Sequence, residues 1–487
     1  MRKTFEVQYE LGALPIEKIK INTKSRHELP PVLVALQNIY CDKEISEKIF
    51  KLMWDKLCAG KKKTGRPGLN LWQILVLGIV RLTQDLDYDM LHDQVNNHRR
   101  LREMMGIESD YGFKRIELEY QNIVDNVKLM DEELLEQING IIVSCGHKLF
   151  KKKEDELLSV KSDTYALESN VHFPTDYNLL GDSGRKCCDV IESMLENGLL
   201  QGNWRKLKDW HRKLKNGMRN VGEISRKGGK DKEARLKKAV SQYLNIARHF
   251  EDKVTGVLNM DFTSEDMLAS LISLVYFQKM LRRHIDLLER RVIKGEKIEH
   301  SEKIFSIFET YTEWISKGKQ NPNVELGKKI LISADQFGLI IDYKIAEKEA
   351  DSEMYLPLAD RLINRFGEKG IASLSTDRGF YNKENKELAS LYIGQIIQPK
   401  RGKKNQREVE EEKAPKFKKL KYRHSAIESN INELEHKGLN RCPDKGRRGF
   451  GRYVGLGVMA YNLQRIGKGL IVRKRQKEEE LLHKKAA

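Results

Sequence analysis

Apolar side chains recur along the first third of the chain at helical spacing. Ile45, Ile49, Met53 and Leu57 form one stripe, with Phe50 and Trp54 beside it, and predict a helix. A basic linker, Lys61 to Gly68, leads into a second helix whose apolar face is Leu71, Ile74, Leu75, Gly78 and Leu82. After a turn at Thr83 to Asp87, Leu91 and Val95 mark a third helix, and a short one follows the cluster His98-Arg99-Arg100-Leu101-Arg102. The period changes at Leu157, where Leu157, Leu158 and Val160 read as a buried strand with Asp163 near its end. Residues 190–300 return to helical character, with heptad-like spacing from Leu268 through Leu271, Val275 and Leu288 and a loop tip at Gly228-Gly229. Lys329 to Ala334 and Leu339 to Ile345 predict a β-hairpin across Asp335-Gln336-Phe337-Gly338. Met354, Leu358, Leu362 and Phe366 predict a helix, and Ile371 to Thr376 and Leu391 to Gln398 predict strands. Residues 399–423 have the composition of an exposed loop, and a helix starts near His424. An apolar helix covers Val454 to Leu463, and the last 20 residues read as a frayed polar tail.

Strands and helices in this order make the chain α/β. Its 487 residues have room for about three domains. The expected partition is a helical arm (1–60), a module of short helices (61–150), a core in two pieces (155–190 and 301–470), a helical insertion (191–300) and a basic polar tail (471–487). With 39% hydrophobic and 33% charged residues the chain is too polar for a membrane protein. Its most apolar stretch, Leu71 to Leu82, contains Gln73 and Arg81 and falls short of the roughly 20 residues a bilayer span needs. No apolar segment with a small-residue cleavage site opens the sequence, so a cytoplasmic location is expected. The six cysteines include no pair two to four residues apart, which argues against a structural zinc and for reduced thiols.

Charge narrows the partners. Lys and Arg total 89 against 71 Asp and Glu, a formal charge of +18 that points to a polyanion. Residues 201–240 hold 14 Lys/Arg and 4 Asp/Glu, interleaved with Trp204 and Trp210, a composition that suits a phosphate-contacting surface. Residues 399–423 hold 11 Lys/Arg and 4 Asp/Glu. The three short helices with their basic flank suit either a helix-turn-helix module or a plain helical packing domain.

Three carboxylates occupy telling places. Asp163 lies on the first strand, Asp377 follows the strand 371–376, and Glu428 lies on the helix after the final strand. Brought together, they would offer hard oxygen ligands to Mg²⁺ or Mn²⁺. Two such ions can activate a nucleophile and stabilise the leaving oxygen in a displacement at phosphorus.

The segments around these acids carry a resemblance. Asp163-Thr164-Tyr165-Ala166-Leu167-Glu168-Ser169-Asn170, running on to Asp176, resembles the first-aspartate block of DDE transposases of bacterial insertion sequences. Ser375-Thr376-Asp377-Arg378-Gly379-Phe380-Tyr381 resembles their second block, and Arg423-His424-Ser425-Ala426-Ile427-Glu428-Ser429-Asn430 their glutamate block. The segment Thr312 to Lys319 and the hairpin after it are also similar, and the nearest group is the ISNCY-like transposases. The resemblance covers roughly residues 60–470. It implies an RNase H-like core, a mixed five-stranded sheet with flanking helices, joined to an all-helical N-terminal DNA-binding region and a long helical insertion. It further implies two Mg²⁺ (or Mn²⁺) held by Asp163, Asp377 and Glu428, with cleavage at transposon ends and transfer of the freed 3′-hydroxyl into target DNA. The expected partner is double-stranded DNA, bound by a homodimer or higher oligomer near the bacterial nucleoid. Candidate DNA contacts are Arg66, Arg99, Arg100 and Arg102 in the short-helix module and Lys206, Lys208 and Arg212 in the insertion. Arg378, Lys403, Lys404, Arg423 and His424 complete the set around the core. One departure concerns the Arg and Tyr that many such enzymes place four and seven residues before the Glu. Here His424 and Lys421 stand there. Glu433 and Glu435 are neighbouring acids outside the matching position. The competing readings are a non-catalytic DNA-binding repressor derived from a transposase, and a structure-specific nuclease on the same fold.

Overall fold

The computed structural model describes residues 14–60, 68–107, 116–151, 153, 155–200, 204, 206–260, 267–316 and 323–486. The chain is α/β and divides into two compact units, Met1–Asn170 with Ile315–Ala487, and Val171–Trp314. This moves two expected boundaries. The helices before residue 150 belong to the same unit as the sheet, and the insertion spans 171–314 instead of 191–300.

The first unit opens with α1 (Leu29–Cys41), α2 (Lys43–Leu57), α3 (Leu71–Thr83), α4 (Tyr88–Asn97), α5 (Arg99–Met104), α6 (Tyr120–Val127) and α7 (Glu132–Phe150). Asp42, Asn70, Asp87 and Asp131 cap α2, α3, α4 and α7, each accepting a backbone N–H three residues on. The stripe Ile45, Ile49, Met53 and Leu57 is the buried face of α2, as its spacing requires. The strand β1 (Leu158–Ser169) follows and is 12 residues long. Asp163 therefore sits in mid-strand, because pairing with a later strand runs on to Glu168, past the buried Tyr165, Ala166 and Leu167.

The second unit is helical: α8 (Asp176–Glu196), α9 (Leu207–Arg226), α10 (Lys232–Leu258) and α11 (Leu268–Leu288). Its core gathers Cys187, Ile191, Leu214, Tyr243, Phe250 and Leu281. Leu268 and Val275 are exposed, since the buried stripe of α11 runs through Leu274, Leu281 and Leu288. Trp204 and Trp210 pack on Phe250, with ring centroids 6.4 and 5.8 Å away. These indoles anchor a core, which corrects their expected place in a phosphate-contacting surface.

The chain passes from the second unit to the first within β2 (Glu313–Ser316), and then come β3 (Val324–Ala334), β4 (Ile340–Ile345), α12 (Asp351–Phe366), β5 (Ile371–Thr376), α13 (Lys383–Ala389) and β6 (Ile396–Ile397). Then follow α14 (Gln406–Lys413), α15 (Pro415–His424), α16 (Ala426–Leu434), β7 (Arg441–Cys442) and α17 (Gly446–Ala486). The strand expected over 391–398 shrinks to two residues, for Leu391 and Tyr392 are exposed. Residues 399–423 hold two helices in place of the expected loop. Asn405 and Glu408 form the capping box of α14, and Pro415 opens α15. The polar tail is the exposed last stretch of α17, whose buried first half packs on α1, α3 and α7. Among the described residues no helix is long and apolar enough to cross a membrane.

The sheet sets the position of the acids. β3 runs antiparallel to β1 and β4, whereas β5 runs parallel to β1 and β6 parallel to β5, giving the order β4-β3-β1-β5-β6. β2 also borders β3 and β7 borders β1, so the mixed sheet has seven strands where five were expected. β5 and β7 both pair with β1, β5 along 158–162 and β7 at 168–169. Between them the β1 backbone is left unpaired by either strand, and Asp163 stands at the start of that notch.

Candidate active site

The parallel pairing sets Ser162 opposite Thr376, so Asp163 and Asp377, next along each strand, stand level with one another. β5 ends there. Asp377 Oδ1 accepts the Gly379 N–H at 2.7 Å, capping the turn Arg378–Phe380 that carries the chain away. Asp163 Oδ1 accepts the Thr164 N–H at 2.7 Å. Glu428 comes from the first turn of α16, which packs on β1 and β3 through its buried Ile427, Ile431 and Leu434.

These acids share one electrostatic neighbourhood. Burial pushes the Asp163 carboxyl up to about 7 against the pull of the Thr164 N–H, and the charges of Asp377, Asp351 and Glu428 push the same way. Like charges held at one notch are the arrangement a divalent cation relieves, and the all-carboxylate donor set fits a hard ion such as Mg²⁺. As placed, no three His, Cys, Asp or Glu groups among the described residues close on a single ion. The expected triple is thus gathered at one notch without forming a closed ligand shell.

Asp351 is the acid that sequence reading missed. It opens α12, accepts from Lys329 Nζ at 2.8 Å and lies 3.3 Å from the Thr164 hydroxyl. A Cβ built on Gly379 would lie 2.8 Å from Asp351 Oδ2 and 2.9 Å from Asp377 Oδ1, so the turn brings both carboxylates against the same bare glycine. In the sequence Asp351 reads as an ordinary first-turn helix acid. Only the hairpin carrying Lys329 reveals its place. His424 ends α15 with Nδ1 3.1 Å from Ser375 Oγ. Burial pushes its imidazole down, against the pull of the Asp377 and Glu428 charges. Glu433 is held by Lys437 and Lys468, which marks it as part of the fold.

The expected DNA contacts separate into several kinds. Arg66 lies outside the described residues. Arg102 is buried and donates to the Ile116 carbonyl at 2.9 Å, so it serves the fold and offers no surface to DNA. Arg99 and Arg100 both pair with Glu103. α4 carries no Lys or Arg and displays Asp89 and Asp93, a poor composition for entering a groove lined by phosphates. Lys404 is tied to Glu412 at 2.5 Å and Arg212 to Asp209 at 2.5 Å. Lys206, Lys208, Arg378, Lys403 and Arg423 are exposed. Comparison with protein-family models, with curated proteins and with solved structures finds no match.

Proposed function

We propose that the chain is a DDE transposase: it binds transposon terminal inverted repeats, cleaves the DNA ends and joins the 3′-hydroxyls to target DNA. The observation that carries this reading is the register that sets Asp163 level with Asp377 at an unpaired notch, with the Glu428 charge acting on the same carboxyl. The strand order supports an RNase H-like core: along the path β4-β3-β1-β5-β6 only β3 runs against the rest. So does the sequence resemblance, whose three acidic blocks fall on β1, the end of β5 and α16.

On this reading Asp163, Asp377 and Glu428 hold two Mg²⁺ or Mn²⁺, with Asp351 and its Lys329 partner bordering them. The ions would supply activation of water, and later of the 3′-hydroxyl, together with charge stabilisation of the leaving oxygen. The chain's own groups do the rest. Gly379 and Thr164 aim the two aspartates through their backbone N–H groups, and His424 links α15 to β5 through Ser375, which fixes the start of the Glu428 helix. Arg378, next to Asp377, and Arg423, five residues before Glu428, are exposed and would meet phosphates.

The test is a nicking and strand-transfer assay with Mg²⁺ on DNA carrying the inverted repeats that bracket the reading frame. Asp163→Asn, Asp377→Asn and Glu428→Gln should each lower cleavage roughly a thousandfold or more while end binding persists. Cleavage retained by every variant rules the assignment out. Binding by the wild type with no cleavage leaves a DNA-binding protein, and cleavage without joining leaves a nuclease.

A further inference from the structure

On the sheet face that carries Asp163, β1 and β5 lie in register as three rungs: Ser159 beside Ser373, Lys161 beside Ser375, and Asp163 level with Asp377. Ser373 Oγ donates to Ser159 Oγ at 3.0 Å, so the first rung is joined through its side chains. The first two rungs floor a cleft of about 550 Å³ that Arg423 and Ser429 help to wall. Among the described residues no Asp or Glu lines it; its polar lining is serine hydroxyls, Tyr422, the Gln336 amide and the two cations Lys161 and Arg423. Lys161 is half-buried and its Nζ makes no hydrogen bond or ion pair with any described residue, and the Arg423 guanidinium makes none either. A cleft rich in donors, with two unpaired cations and no acid, is built for an anion. Rungs on one strand face repeat every two residues, about 6.6 Å, so the cleft adjoins the carboxylates at about the reach of one backbone step of an extended strand.

We infer that this cleft binds a phosphodiester of a DNA strand, next to the bond presented to Asp163 and Asp377, with Lys161 and Arg423 on its oxygens. Lys161 is then a positioning residue. It fixes which bond lies over the acids and takes no part in the chemistry. The inference rests on the reading of the notch as a DNA-cleaving centre, and it extends that reading to a residue outside the acidic blocks.

The test separates the two. Fluorescence anisotropy of the full chain with a labelled oligonucleotide, in EDTA, measures binding without metal. Lys161→Gln and Arg423→Gln should each weaken binding several-fold and lower the salt slope by about one, and Lys161→Arg should restore both. Wild-type affinity and slope in both glutamine variants overturn the cleft assignment, even where the wild type nicks DNA. Competition by dAMP as strong as by the oligonucleotide also overturns it, because the cleft would then be a mononucleotide site. Binding that falls as expected, in a wild type that never nicks, sinks the transposase reading and leaves the cleft standing.

Discussion

Two clusters of charge in the first unit invite comparison. At the junction of α3 and α17, Asp444 Oδ1 accepts from Arg81 Nη2 at 2.6 Å, while its Oδ2 accepts from Arg452 Nη2 at 3.2 Å. Arg81 also donates to the Leu86 carbonyl and stacks 3.9 Å from the Tyr88 ring centroid. The cluster is buried, and its single carboxylate is met by two guanidinium groups. At the notch the balance is reversed: four carboxylates share one neighbourhood, and Lys329 on Asp351 is the one cation bonded to any of them among the described residues. Charge that is satisfied holds a fold together. Charge of one sign, gathered at a strand edge and left short of counter-charge, costs stability and is kept for what it binds.

The contrast can be broken first at its structural end. Asp444→Ala leaves two buried guanidinium groups facing each other and should cost about 3–5 kcal/mol, read as a lower denaturant midpoint. An unchanged midpoint would place that cluster among dispensable ion pairs. Asp163→Asn should act with the opposite sign. Its carboxyl, pushed up to about 7 in the folded chain, titrates near 4 when unfolded, so the native state holds the proton more tightly. Wild-type stability should fall as pH rises from about 4 to about 7. Above that window the asparagine variant should be more stable by about 1–2 kcal/mol, a gain trimmed because the carboxyl is half open to water. Thermal melts of both proteins across that range measure the difference, and a destabilised variant would contradict it.

Gly379→Ala probes geometry. Its new Cβ would press on Asp351 and Asp377 together, so activity should drop roughly tenfold, equivalent to about 1.4 kcal/mol, with little change in melting temperature. Full activity would show that the turn leaves both acids room to move. The smallest effect lies in the helical unit. His284 is buried with Nδ1 2.8 Å from the Met280 carbonyl and, among the described residues, no partner on Nε2, and burial pushes its imidazole down. The unfolded chain therefore takes the proton more readily, and stability should erode as pH falls below about 6.5. His284→Gln should flatten that part of the pH profile by less than about 1 kcal/mol at pH 6. An equally steep profile in the variant would assign the loss to other groups.

Much of this was legible in the sequence because it depends on local periodicity. The stripe Ile45 to Leu57, the hairpin around Gly338 and the strand ending at Thr376 are each fixed by neighbours within a few residues. What failed depended on partners far along the chain. Arg102 looks like surface charge until the 116–118 segment folds over it, and Trp204 and Trp210 look available until Phe250 arrives from α10. The basic run 399–423 reads as loop because its low hydrophobicity hides a capping box, a helix-opening proline and a set of Lys–Glu pairs. At the notch, Asp163 and Asp377 could be found by block resemblance, but Asp351 could not, since its part is set by Lys329 and Gly379 from other elements. Lys161 was within reach: it lies two residues before Asp163, and a strand's period of two puts both on one face.

The central claim is that the notch acids bind divalent cation together. Calorimetric titration of Mn²⁺ into the DNA-free protein above pH 7, where Asp163 is ionised, tests it most directly. Saturable binding by the wild type that disappears in both Asp163→Asn and Asp377→Asn is the predicted result. Absence of binding in the wild type, or binding that both variants retain unchanged, would contradict it.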